Sequence, residues 1–178
     1  MTVKTAAQLK ADFLSLDPND WITNLVDSVA KTLGLPTNAA LVVAEERTFT
    51  ENGAGTYTGA VDLPAGATLL DIIVHNDVLW AAATSAVMKV GDTDDDGYYT
   101  NVNLKATDLL ANESLSFARE GGKGGAYYAG TGTHWTNRYS ATARTINGII
   151  TSVGAGTAGR TRMVVMYVVP TAVAATKA

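Results

Sequence analysis

The sequence predicts a mainly β chain, a jelly-roll or Greek-key β-sandwich preceded by a short two-helix N-terminal arm. Three observations predict it. Apolar residues recur at helical spacing only as far as Leu33, Gly34 with Pro36 marks a change of register, and from Ala39 onward short runs rich in Thr, Val and Gly alternate with breaks of Gly, Asn and Asp. The boundaries that follow are an arm at 1–36, a sandwich at 37–170 and a tail at 171–178.

In the arm, Ala6, Leu9, Phe13 and Leu16 stand three or four residues apart, which is one stripe of a helix. Asp17-Pro18-Asn19-Asp20 reads as a turn and a new start. Asp17 suits the N-cap, Pro18 the first helical position, and Asp20 the positive end of the helix dipole. Ile22, Leu25, Val26, Val29 and Leu33 form a second stripe, stopped by Gly34 and Pro36. Burying one such side chain is worth roughly 1.5–3 kcal/mol, and a pair of short helices has too little mass to hide both stripes unaided. The arm is therefore expected to lie on its own β body or on a neighbouring molecule, led by Phe13, Trp21, Ile22, Leu25 and Val29.

Eight strands are expected after it, at 40–50, 56–62, 68–75, 81–90, 98–104, 114–119, 139–153 and 161–169. The breaks fall at Asn52-Gly53, Pro64-Ala65-Gly66, Asp92 to Gly97, Gly121 to Gly125 and Gly154 to Gly159. Strands at this spacing suit a sandwich with Greek-key or jelly-roll connections. Leu69 to Val74 and Met163 to Val169 are apolar almost throughout, as in central strands covered on two sides, one of which can be a subunit contact.

The 178 residues contain no cysteine, so disulfide and thiol chemistry are excluded. A chain of this length hides roughly 70% of the surface its unfolded form exposes and needs no staple to fold. No basic segment followed by an apolar stretch opens it, so a secretory signal is not expected. The longest apolar run is interrupted by Pro170 and falls short of a membrane span. Net charge is −4, but residues 1–118 carry 6 basic and 16 acidic groups, and residues 119–178 carry 7 and 1. Arg119, Lys123, Arg138, Arg144, Arg160 and Arg162 are scattered rather than clustered, so they predict pairing with the acids of the first half, not nucleic-acid binding. Opposite charge on the two halves also suits self-association.

Several motifs invite chemistry. Asp92, Asp94 and Asp96 followed by Gly97 match the first half of an EF-hand loop, which makes them candidate calcium ligands. The twelfth position is Asn103 where such a loop needs a bidentate Glu, and the flanks read as strands; the competing reading is a solvated acidic turn. Gly154-Ala155-Gly156-Thr157-Ala158-Gly159 spells G-x-G-x-x-G, but a strand follows where nucleotide binding needs a helix, so a flexible loop is expected. Gly121 to Gly125 lacks the Ser or Thr of a phosphate loop and reads as a mobile tip or a close backbone contact. His75 shares a strand face with Asp71 and Asp77, as a base and its orienter would, yet no nucleophile elbow accompanies it and a structural histidine is expected. His134 and Trp135, with Asn137, Arg138 and Tyr139, have the composition of a sugar-stacking platform; a core plug or interface anchor is the competing reading. Trp21 and Trp80 sit in apolar periodic contexts and read as packing residues.

Two stretches carry a resemblance to a known group. The segment from Val61 through Asp62-Leu63-Pro64-Ala65-Gly66-Ala67-Thr68 to Val74, then Val90-Gly91-Asp92, Asp96-Gly97-Tyr98 and a closing strand from Arg162 to Pro170, resembles the β domain of tailed-phage head-decoration and related virion proteins. Leu9 to Leu33, with Asp17-Pro18-Asn19-Asp20 in its middle, is similar to short helical N-termini that tether phage fibre or decoration subunits, although it lacks the Asn-Thr-Thr some of these carry before the second helix. The resemblance implies a non-enzymatic virion subunit without a cofactor, assembled in the host bacterial cytoplasm. It implies a homotrimer on the particle, in contact with the major capsid protein or another virion protein. A carbohydrate-binding module of a phage fibre, or a tail or neck adaptor, is the alternative, with surface glycans as partner. Neither reading involves nucleic acid or a membrane.

Overall fold

The structure is a computed structural model that describes residues 41–119, 123–128 and 135–169. Eight strands follow in chain order: β1 (Leu41–Thr50), β2 (Gly55–Leu63), β3 (Thr68–Val78), β4 (Ser85–Gly91), β5 (Tyr99–Asn103), β6 (Glu113–Ser116), β7 (Arg144–Val153) and β8 (Arg160–Val169). They form two four-stranded sheets, ordered β1-β8-β3-β6 and β2-β7-β4-β5, with every pairing antiparallel. All of it lies within one compact unit, Ala40–Pro170.

The sheets pack face to face. Gly148 in β7 stands where Phe49 of β1 and Met163 of β8 cross from the opposite sheet, and a Cβ there would lie 2.9 Å from each. Only glycine lets those two side chains meet Met88 of β4 at the middle of the core. Around that point Val61, Leu69, Ile72, Val90, Ile146 and Val165 are fully buried. Alternation produces this: the burial pattern of β2 and β7 steps in and out with period two, which turns Val61 and Leu63 of β2 and Ile146 and Ile150 of β7 into the core. Trp80, Thr161 and Asn76 carry polar groups into the core already partnered. Trp80 Nε1 donates to Thr161 Oγ1 at 2.8 Å, and that hydroxyl donates to Asn76 Oδ1 at 3.0 Å. Trp80 is thus the packing residue its context predicts.

The strand positions agree with expectation to within two residues except at four ends, the first being that of β3, which runs on to Val78. The fourth strand starts at Ser85, not Ala81, because Trp80 and Ala82 are core plugs and the Ala81 amide is committed to a carboxylate. The sixth stops at Ser116, and Phe117–Arg119 tightens into a 3-10 turn that sinks Phe117 into the core. The seventh starts at Arg144, because the carbonyls of Asn137 and Arg138 accept from the Arg144 guanidinium at 2.5 and 2.7 Å.

The expected two-helix arm requires correction. The described residues contain two antiparallel sheets and a single 3-10 turn but no α-helix, so a helical arm is not supported. Residues 1–36, to which it was assigned, lie outside the described residues, as do Phe13, Trp21, Ile22, Leu25, Val29 and the tail.

Candidate functional site

The acidic turn between β4 and β5 divides its carboxylates between two tasks. Asp92 is taken into the protein. Its Oδ1 accepts from the Tyr127 hydroxyl at 2.7 Å and its Oδ2 from Asn137 Nδ2 at 2.6 Å, while the Arg144 guanidinium stands 3.6 Å away. Burial pushes the Asp92 carboxyl up, but these donors outweigh it and hold the group below its ordinary value. The Tyr98 hydroxyl donates to the Asn137 carbonyl and accepts from Arg144, and burial raises its phenol well above the usual range. This network ties the β4–β5 turn to the long connection before β7. Asp94, Asp95 and Asp96 instead converge at the surface, their carboxylate oxygens within 4.8 Å of one another, with the Lys89 ammonium 3.5 Å from Asp95. The calcium set expected from the sequence was Asp92, Asp94 and Asp96; the three that meet are Asp94, Asp95 and Asp96, already partly neutralised by lysine.

Two glycine motifs resolve into structure. Gly124 bridges to Tyr99, and the Gly125 amide donates to the Tyr98 carbonyl at 2.8 Å, so these two glycines make a close backbone contact, while Gly121 and Gly122 lie outside the described residues. In the 154–159 loop, the amides of Ala158 and Gly159 donate to Glu51 Oε2 at 3.2 and 2.9 Å, joined by Ala81 at 2.8 Å. The glycine loop does cradle an anion, and that anion is the chain's own carboxylate. Burial raises the Glu51 carboxyl, yet the amide donors more than offset this and its net shift is downward. Sequence reasoning missed Glu51 because its partners are backbone amides, which leave no side-chain signature.

His75 stands between Ser114 and Asp77, with Nδ1 2.7 Å from Ser114 Oγ and Nε2 3.1 Å from Asp77 Oδ1. The order imitates a hydrolytic triad, but Asp77 is held by two guanidiniums, Arg160 at 2.8 Å and Arg162 at 2.8 Å. The Arg162 hydrogen bond foremost keeps the Asp77 carboxyl below its ordinary value. A carboxylate so neutralised has little left to polarise an imidazole. The group links the edge strand β6 to β3. Asp71, the other acid on this face, accepts from Ser116 Oγ at 2.6 Å.

Trp135 is half-buried, edge-on to Phe117 at 4.7 Å, with the Arg138 guanidinium 4.5 Å from its ring centroid. One face is thus occupied by the protein's own cation, and Asn137 is spent on Asp92. Of the supposed sugar platform Tyr139 alone stands well out, at 61% exposure, and His134 lies outside the described residues.

The described polar groups are thus engaged mainly with one another, and the outer faces of the two sheets bear on contact. On β2-β7-β4-β5 the outward residues include Thr56, Thr58, Thr145 and Thr151, interspersed with Val87, Ile149 and Val153. On β1-β8-β3-β6 they include Val42, Ala44, Val164, Met166, Val168 and Ile73. Neither a family model nor a curated protein matches the sequence. Among solved structures, a chain from the acid-stable capsid of Helicobacter pylori bacteriophage KHP30 matches with a TM-score of 0.51 and 14% identity, over 75% of this chain and 91% of that one. The two share a fold. Chains from the capsid of cyanophage Pam1 (TM-score 0.45, 18% identity, 75% of this chain and 86% of that one) and of Ralstonia phage GP4 (0.45, 16%, 77% and 89%) match more loosely.

The match spans nearly the whole of the KHP30 chain and three quarters of this one. No helix among the described residues is long and apolar enough to cross a membrane. The scattered cations are largely paired across the chain, as the charge asymmetry predicts: Arg160 and Arg162 with Asp77, Arg144 with Asp92, Lys123 with Asp108.

Proposed function

We propose that the protein is a non-enzymatic structural subunit of a phage virion, a decoration protein that stabilises the capsid as a homotrimer. The observation that carries the reading is the fold shared with a phage capsid chain over 91% of that chain's length. The strand order β1-β8-β3-β6 facing β2-β7-β4-β5 supports the jelly-roll assignment. The disposition of polar groups supports a non-catalytic role, since the groups around His75, Glu51 and Asp92 are engaged in holding strands and connections together.

In this reading, residues 1–36 attach the subunit to shell or neighbour through Phe13, Trp21, Ile22, Leu25 and Val29. Each contact is modest, and repetition supplies the hold. Linked sites can gain ~10²–10⁴ in avidity with no new contact type. The test uses particles from a phage whose genome encodes the chain. The wild-type protein should co-sediment with particles lacking it and saturate them, while an Ile22→Asp/Leu25→Asp variant with unchanged circular dichroism should not. Failure of the wild-type protein to bind removes the reading; equal binding by the variant removes the role of residues 1–36.

A further inference from the structure

We infer that the outward face of the β1-β8-β3 strands is the surface on which a second copy of this chain packs. The inference deepens the virion reading and rests on it for its biological setting. Strand register makes the apolar band continuous. Val42 pairs with Val168 and Ala44 with Met166, and Val164 pairs with Ile73, so the aliphatic side chains run along β1 and β8 and reach β3 at Ile73, with Thr68 and Asp71 of β3 beside Val168 and Met166. In β8 every residue from Met163 to Val169 is apolar, although its burial still alternates in and out. A strand with water on its outer face normally alternates in polarity too, and one covered on both faces does not. Val42, at 55% exposure, leaves the band open at the edge.

The polar groups bordering the band favour a twin over a charged partner. Glu46 pairs with Arg162, and Asp77 with Arg160 and Arg162. His75 is satisfied by Ser114 and Asp77, and Asp71 by Ser116 and the Ala118 amide. Covering this face therefore orphans none of these charges. With both signs present, two such faces do not repel. The area is near the threshold. Three strands of about ten residues at about 3.3 Å per residue, spaced about 4.8 Å apart, offer roughly 480 Å² of plane per partner. Two faces then bury about 950 Å², close to the roughly 1,000 Å² that marks a biological interface and in the range of a weak self-association.

The test uses the full chain. With p-benzoylphenylalanine in place of Met166, a mixture of ¹⁴N- and ¹⁵N-labelled protein is irradiated and its cross-links mapped. The expected products join one light and one heavy copy. Products confined within single copies, which residues 1–40 folded onto their own sheet would give, overturn the inference, and so does an absence of products. In sedimentation, Met166→Glu and Val42→Glu should each weaken self-association by at least about tenfold, and Thr58→Glu on the opposite sheet should leave it intact. Val42 is exposed enough that its substitution spares the isolated fold. A wild-type protein that is monomeric at micromolar concentration, or variants that assemble as it does, overturn the inference. Assembly through this face by a protein that never binds particles would remove the virion reading alone; particle binding by variants that still self-associate would remove this inference alone.

Discussion

At the end of β1, Glu51 is 2% exposed, and its Oε2 accepts from the amides of Ala81, Ala158 and Gly159. Replacing it with alanine strands those donors in a dry pocket. Glu51→Ala should therefore cost about 3 kcal/mol in chemical denaturation, and Glu51→Gln, which keeps an acceptor oxygen, clearly less. Glu51, Asp77 and Asp92 are all held below their ordinary values in the folded state. Their contribution is thus complete above the unfolded carboxylate range near about 4 and is lost as pH falls through the lower folded values. Melting temperature should change little between neutrality and about pH 5, then fall steeply below about pH 4. Ala106 is a contrary case. It adopts φ 66°, a left-handed conformation that its Cβ disfavours. Ala106→Gly should be neutral to stabilising by up to about 1 kcal/mol, against the usual direction of such a change. None of these three effects is visible in residue type alone, because each depends on the partners or backbone conformation that the fold brings to the residue.

Among the elements, the strands were the most legible part. Thr, Val and Tyr at period two, bounded by Asn52-Gly53 and Pro64-Ala65-Gly66, mark β2, and the turn residues behave as expected: Gly53 and Gly66 both have positive φ. The continuous apolar runs in β3 and β8 marked central strands, and both are interior to the β1-β8-β3-β6 sheet. Pairing order was not legible, since β1 finds β8 across more than a hundred residues and no local pattern encodes that register. The acidic turn misled for a related reason. Its letters match an ion-binding loop, but Asp92 finds Tyr127, Asn137 and Arg144, which arrive from a distant connection. That connection depends on Phe117, which meets Tyr98, Tyr99, Tyr128 and Trp135 edge-on at 4.7–5.9 Å. Phe117→Ala should cost about 3–5 kcal/mol. In hydrogen exchange, residues 123–128 and 135–140 should lose protection before β7 and β8 do.

For the molecule as a whole, the opposed charges of its two halves are met internally. Arg144, Arg160 and Arg162 from the C-terminal third each pair with acids from the first hundred residues. These pairs leave the outer face of β1-β8-β3 apolar at its middle and neutralised at its rim, while the opposite sheet mixes threonines with Ile149 and Val153. The most direct measurement is a density map of particles from a phage encoding the chain, reconstructed with and without it. The account predicts added density at repeated, three-fold related positions on the capsid that fits the two four-stranded sheets, with the β1-β8-β3 face turned toward neighbouring copies. Identical maps from particles made with and without the chain would contradict it.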